Sequence, residues 1–159
     1  MSEVFENKTN VEAMARALAM YHAIFADEAK GMLGEERGTE LVGKVVARFG
    51  RERGKRIRES SDSKGEAPTL ASMVKNYDLP LSAAWESVKY EDGSDITYCP
   101  MYEEWKKMDM IKEGKHYCAV DAAMVEGYSD NLVFRRECTL MDGDDCCRHR
   151  YKLKNNGGN

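Results

Sequence analysis

Four of the chain's five cysteines and two of its three histidines fall between His116 and Tyr151, in HYCAVDAAMVEGYSDNLVFRRECTLMDGDDCCRHRY. Cys118 and Asp121 stand three apart on a predicted helix, which sets a thiol and a carboxylate side by side. A carboxylate alone raises a thiol's pKa, so the pair needs a cation or a second donor before it can serve as a nucleophile. In sequence the nearest such groups are Arg148, His149 and Arg150, on a predicted strand where His149 faces opposite to the two arginines. His116 meets Cys118 only where the first turn of the helix frays. Of the vicinal Cys146 and Cys147, at most one can join a common site, because adjacent strand residues point to opposite sides.

Each of these residues has a plainer reading. A single buried cysteine is more often a small core residue than a nucleophile. Cys99, Cys118, Cys138 and Cys147 offer a set of zinc ligands, but the chain has neither a CxxC pair nor HxxxH spacing, so no cofactor is expected and zinc stays an alternative. The acidic DGDD is what turn geometry alone would choose, and a calcium loop needs more ligands at wider spacing. His22 lies within an amphipathic helix and reads as a core or surface histidine.

The elements that must position these groups follow from periodicity. From Asn10 to Met32 the apolar residues Val11, Met14, Leu18, Tyr21 and Phe25 mark one helical face. A second helix runs through ERGTELVGKVVARFGRERGKRIRES, with Leu41, Val42, Val45, Val46 and Phe49 on one side. SSDSKGEAPT is a loop, and TLASMVKNYD a shorter helix started by Thr69. SAAWESVKYEDGSDITYCP reads as a β-hairpin turning at EDGSD. MYEEWKKMDM is a short helix, and IKEGKHYCAVDAAMVEGYSD another that stops near Gly127. NLVFRRECTLM and CCRHRYKLK form a second hairpin, in which Leu132, Phe134, Arg136 and Cys138 share a face. The expected architecture is α+β, an antiparallel sheet of two hairpins packed with two long N-terminal helices and shorter helices. One domain spans residues 1–159, with 154–159 a disordered tail.

Composition narrows the function classes. Hydrophobic residues make up 42% and charged residues 33% of the 159, with a formal charge of −4, a globular balance without the basic face that nucleic acid requires. The opening MSEVFENKTNVEAM lacks the basic start and apolar run of a secretory signal. A cytoplasmic protein with reduced thiols is expected, handling a small molecule and neither nucleic acid nor membrane, with homo-oligomerisation left open.

ELVGKVVARFGRERGKRI, TYCPMYEEWKKM and CAVDAAMVEGYSDNLVFRRECTLMDGDDCCRHRY resemble the family of L-2-amino-thiazoline-4-carboxylic acid hydrolases. The likeness falls on Cys99, Pro100, Cys118, Asp121, Thr139, Leu140, Gly143, Asp144, Cys147, His149 and Arg150. It implies a hydrolase that cuts C–N bonds of a small cyclic amidine or amide. Cys118 would then be the nucleophile and Asp121 the partner of the amidinium. His149 would be acid and base, Arg150 the clamp for the substrate carboxylate, and Cys99 and Cys147 second candidates for the nucleophile. His116 would be a substrate contact. A more distant similarity, to vinyl-reductase-type ligand-binding domains through Cys118, Cys138 and Cys147, implies instead a non-enzymatic small-molecule-binding domain in which cysteines pack or hold a metal.

Overall fold

A computed structural model describes residues 3–80 and 83–154. Helix α1 (Glu3–Leu33) and helix α2 (Glu35–Ser63) are joined by Gly34 alone, whose φ of 83° is one that glycine adopts without strain. Both helices form where the periodicity predicts, and α2 continues into the SSDS expected to be loop. Their buried faces, however, differ from the apolar stripes. On α1 the buried side is Ala15, Ala19, Ala23, Ala26 and Ala29, while Met14 and Tyr21 keep 71% and 69% of their surface exposed. The small side chains let neighbours reach the α1 backbone, and Trp105 Nε1–H donates to the Ala19 carbonyl at 2.8 Å. On α2, Val42, Val46 and Ile57 are buried, and Leu41, Val45 and Phe49 stay partly exposed at the flank.

His22 belongs to the buried side of α1. Its ring meets Tyr117 and Trp105 edge-on at 5.1 and 6.3 Å, and its Nε2 has no hydrogen-bond partner among the described residues. Burial pushes its pKa down to about 4. The unfolded chain therefore takes up this proton first, so the contribution is intact above the ordinary imidazole value of about 6.5 and is lost as pH falls from there toward 4. The wild type is expected to lose roughly 3 kcal/mol more stability than His22→Gln across that interval. Denaturant midpoints at both ends of the range check this.

After the loop, Thr69 starts α3 (Leu70–Lys75) with a reciprocal capping box to Ser72. Strands β1 (Glu86–Tyr90) and β2 (Gly93–Tyr98) form the first hairpin, and Pro100 opens α4 (Pro100–Lys107). The helix expected through Gly127 is broken into α5 (Ile111–Lys115), a 3-10 turn (His116–Ala119) and α6 (Val120–Tyr128). Tyr117, in that turn, is drawn into ring contacts with His22, Phe49 and Trp105. Tertiary packing has overridden the local helical period. Strand β3 (Leu132–Arg136) stops short of the predicted Met141, and β4 (Cys147–Leu153) completes the second hairpin.

The four strands form an antiparallel sheet in the order β1-β2-β4-β3, β2 joining the hairpins by pairing Ile96 with Cys147 and Ser94 with His149. This is the expected α+β architecture. Leu132, Phe134 and Tyr151 pack under Ile57, Met124, Val125 and Tyr128, so one face of the sheet is covered by helices. The other face carries the exposed Val88 and Tyr90 with Asp95, Arg148 and Arg150. Lys154 N–H still donates to Asn131 O at 2.8 Å. The rest of the expected tail, 155–159, lies outside the described residues, as do Leu81 and Ser82, the latter the first residue of the predicted hairpin run.

Helices α2 and α6 cross with backbone almost in contact. A Cβ on Gly54 would stand 2.1 Å from the Met124 carbonyl oxygen, and one on Gly50 2.7 Å from that of Val120. These two glycines, one helical turn apart, set how closely α6 approaches α2, and α6 carries Asp121.

Candidate functional site

Strand parity and one helical step build the site. On β4, Cys147, His149 and Tyr151 point to the covered face, and from β3 Arg136 sits opposite His149. From above, the 3-10 turn brings Cys118 and the first turn of α6 brings Asp121. The Arg136 guanidinium ties them together. Its Nη2 donates to the Asp121 carboxylate and to the Cys118 carbonyl, each at 2.6 Å, and its Nε points at His149 Nε2 from 3.4 Å. Asp121 Oδ2 is 3.9 Å from the same imidazole nitrogen. An N–H donated to Nε2 leaves the ring proton on Nδ1, so His149 is neutral and faces the cluster with its basic nitrogen. Its pKa is lowered, by burial first and against the pull of Asp121.

The thiols divide between the two faces. Cys118 has its pKa pushed well above the ordinary thiol range, by burial first and Asp121 second, with Arg136 opposing and the neighbouring Cys99 and Cys147 adding. Cys99 precedes α4 and receives the Trp85 Nε1–H at 3.2 Å, and burial raises its pKa too. Cys147 accepts from Leu140 N–H at 3.4 Å and lies 3.4 Å from Thr139 Oγ1. Cys138 and Cys146 go the other way. Glu137 N–H donates to Arg148 O and Arg148 N–H to Cys138 O, so two residues oppose one in a β-bulge. The extra residue turns Cys138 away from the face that Arg136 occupies. Cys138 therefore leaves the set of four cysteines considered as zinc ligands, and no group of three His, Cys, Asp or Glu suited to a metal occurs among the described residues.

Two further predicted site residues stand apart. Arg150 points to the open face, where its guanidinium holds Asp95 at 2.9 Å, donates to Ser94 O at 3.3 Å and lies over Tyr90. It does not share a hollow with Cys118, because it has the parity of Arg148 and not of His149. His116 has Lys30, Glu113, Glu35 and Lys112 as its principal electrostatic neighbours, at the α1–α5 end. The guanidinium that does reach Asp121 is Arg136, which the strand alternation groups with Leu132, Phe134 and Cys138 and to which the sequence assigns no role. An arginine in phase with Leu132 and Phe134 was the available signal.

The acidic turn shapes the loop that presents Cys147. Thr139 caps a 3-10 turn at Leu140–Asp142, Gly143 follows at φ 88°, and Asp144 accepts the Thr139 N–H at 2.8 Å. Of two surface clefts, one of about 360 Å³ is lined by Asp27, Glu28, Lys30 and Glu113, and the other, of about 630 Å³, by Leu70, Asp92 and Tyr151. The Cys118 cluster belongs to neither. It reaches solvent at its rim, where the Asp121 and Arg136 side chains keep 26% and 20% exposure.

The molecule is thus an α+β protein in which thiols, a carboxylate, a guanidinium and an imidazole meet between helices and the covered face of an antiparallel sheet. The family model for L-2-amino-thiazoline-4-carboxylic acid hydrolase matches residues 11–151, and the chain belongs to that family. No curated protein and no solved structure matches it. The family bears the name of a hydrolase acting on a small molecule, and no described helix is long and apolar enough to cross a membrane.

Proposed function

We propose that the protein hydrolyses a small cyclic amidine or amide carrying a carboxylate, of the 2-aminothiazoline-4-carboxylate kind, at the Cys118–Asp121–Arg136–His149 cluster. The observation that carries this reading is the single guanidinium that gathers the Cys118 turn, the Asp121 carboxylate and the His149 imidazole within 3.4 Å of its nitrogens. Family membership supplies the substrate class.

In the resting protein the Cys118 thiol keeps its proton, because burial and Asp121 both oppose the thiolate. A cationic amidine arriving at Asp121 offsets that negative charge and makes the thiolate accessible when it is needed. His149, neutral and with its basic Nε2 held only by the long 3.4 Å contact from Arg136 Nε, takes the proton. The sulfur adds to the amidine carbon, the ring bond to nitrogen breaks, and His149 returns the proton to the departing nitrogen. Water then attacks the thioimidate formed from an amidine, or the thioester formed from an amide, the C–S bond to Cys118 breaks, and the thiol is regenerated. Arg136 replaces Arg150 as the cation beside the substrate carboxylate, offering the Nη1 that Asp121, the Cys118 carbonyl and His149 leave unused. Cys147 and Cys99 complete the wall.

Loss of ring absorbance from a panel of heterocyclic carboxylates is the direct assay. In Asp121→Asn, KM for the cationic substrate is expected to rise roughly 30-fold, about 2 kcal/mol of lost charge pairing. The same variant should alkylate faster at Cys118, since one cause of the raised pKa is gone. Ring opening unchanged in this variant, or no ring opening by wild type on any member of the panel, would overturn the proposal.

A further inference from the structure

The two cysteines that leave the catalytic face do not simply disperse. Cys138 Sγ and Cys146 Sγ lie 3.8 Å apart at the base of the β3–β4 connection, close enough for one S–H to lean on the other sulfur. Without the bulge, Cys138 would point through the sheet and the pair could not exist. Access differs between them: Cys138 is half-buried, whereas Cys146 is only 9% exposed. The Arg148 guanidinium, held by Asp95 at 3.4 Å, lies near enough to interact with both sulfurs.

We propose that Cys138 and Cys146 are a redox-responsive dithiol that closes to a disulfide, fastening the 138–146 loop in a chain otherwise built of reduced thiols. The oxidant is a low-molecular-weight disulfide, RSSR. The Cys138 thiolate attacks one of its sulfurs, forming a mixed disulfide and releasing RS⁻. Cys146 then attacks the Cys138 sulfur, the protein disulfide forms, and the second RS⁻ leaves. Two protein S–H bonds are lost, one S–S bond is gained, and RSSR is reduced to two RSH. The vicinal Cys146–Cys147 pair is excluded from this chemistry because Cys147 faces the helices, bonded to the Thr139–Leu140 turn. The tied loop also contains Thr139, Leu140 and Asp144, the residues that seat Cys147, so closure rigidifies one wall of the candidate site from the open face of the sheet.

Incubating the folded, full-length protein with oxidised glutathione tests this. Expected in the wild type are a mass about 2 Da lower, three alkylatable thiols where the reduced chain has five, a mapped Cys138–Cys146 bond reversed by dithiothreitol, and a Tm raised on the order of 5 °C. Cys146→Ser should stop at the mixed glutathione adduct on Cys138, and Cys138→Ser should form no internal bond. Circular dichroism on each sample establishes that the fold is intact. Five free thiols persisting in the folded wild type, or a bond mapped to Cys147, Cys118 or Cys99, overturns the proposal. Neither result depends on whether the protein opens heterocyclic rings.

Discussion

Cys118→Ala is expected to lower kcat/KM for ring opening by at least about 1,000-fold while leaving the protein folded. The sulfur is the bond-forming atom, and the Cys118 backbone carbonyl, not its side chain, accepts the structural hydrogen bond from Arg136. Removing the thiol therefore deletes the reacting group and keeps the scaffold. The pH profile adds a second signature. Because Cys118 is a protonated thiol in the free enzyme and the neutral His149 takes that proton only once substrate is bound, the wild-type kcat/KM should be level between pH 7 and 9. At the acid end, protonation of His149 should depress the rate, and only below the usual imidazole value, since burial lowers its pKa. Steady-state kinetics on Cys118→Ala, Cys147→Ala and Cys99→Ala separate the three thiols of the covered face. Full activity in Cys118→Ala with loss in Cys147→Ala would move the nucleophile to β4 and refute the assignment made here.

The largest effect on stability is expected from a single methyl group. In Gly54→Ala the new Cβ would stand 2.1 Å from Met124 O, 2.7 Å from Tyr128 N and 2.8 Å from Gly127 C. All three are backbone atoms of α6, so no side chain can rotate away and the helix itself must lift. Tyr128 resists that movement, since its hydroxyl lies 2.7 Å from Ser72 Oγ and its ring is buried under α2. A loss of about 3 kcal/mol or more is expected, a fall of roughly 10 °C in Tm. The same substitution at Gly43, also within α2 but with nothing within 4 Å of its would-be Cβ, should stabilise by about 0.5–1 kcal/mol. Equal effects at the two sites would show that helix propensity and not the crossing decides. Because α6 carries Asp121, any Gly54→Ala protein that still folds should also bind substrate less well.

Much of this molecule is written locally. Apolar periodicity located α1 and α2, Thr69 marked the start of α3 through a side chain that bonds its own backbone, and the EDGSD and DGDD turns placed both hairpins. These features depend on residues near one another in the chain, so a reading of neighbours suffices. The Cys118–Asp121 step was legible for the same reason, an offset of three surviving the change from α to 3-10 pitch.

What the chain could not disclose by itself is which of two faces an element turns inward. Helix α1 has both a stripe of large apolar residues and a stripe of alanines, and the alanines are inside, because close approach of Trp105 and the α2 backbone requires small side chains that a hydrophobicity count undervalues. The bulge at Glu137–Cys138 adds one residue to one strand, which no alternation pattern reveals, and it reverses the face of every side chain after it. That single insertion separates Cys138 from Cys147 and leaves Arg136 as the last β3 side chain on the covered face. The residue types of the site were thus determined by sequence. Their grouping around Arg136, and the exile of Arg150 to the open face, were decided only when the sheet closed and fixed the parity of each strand against its neighbour.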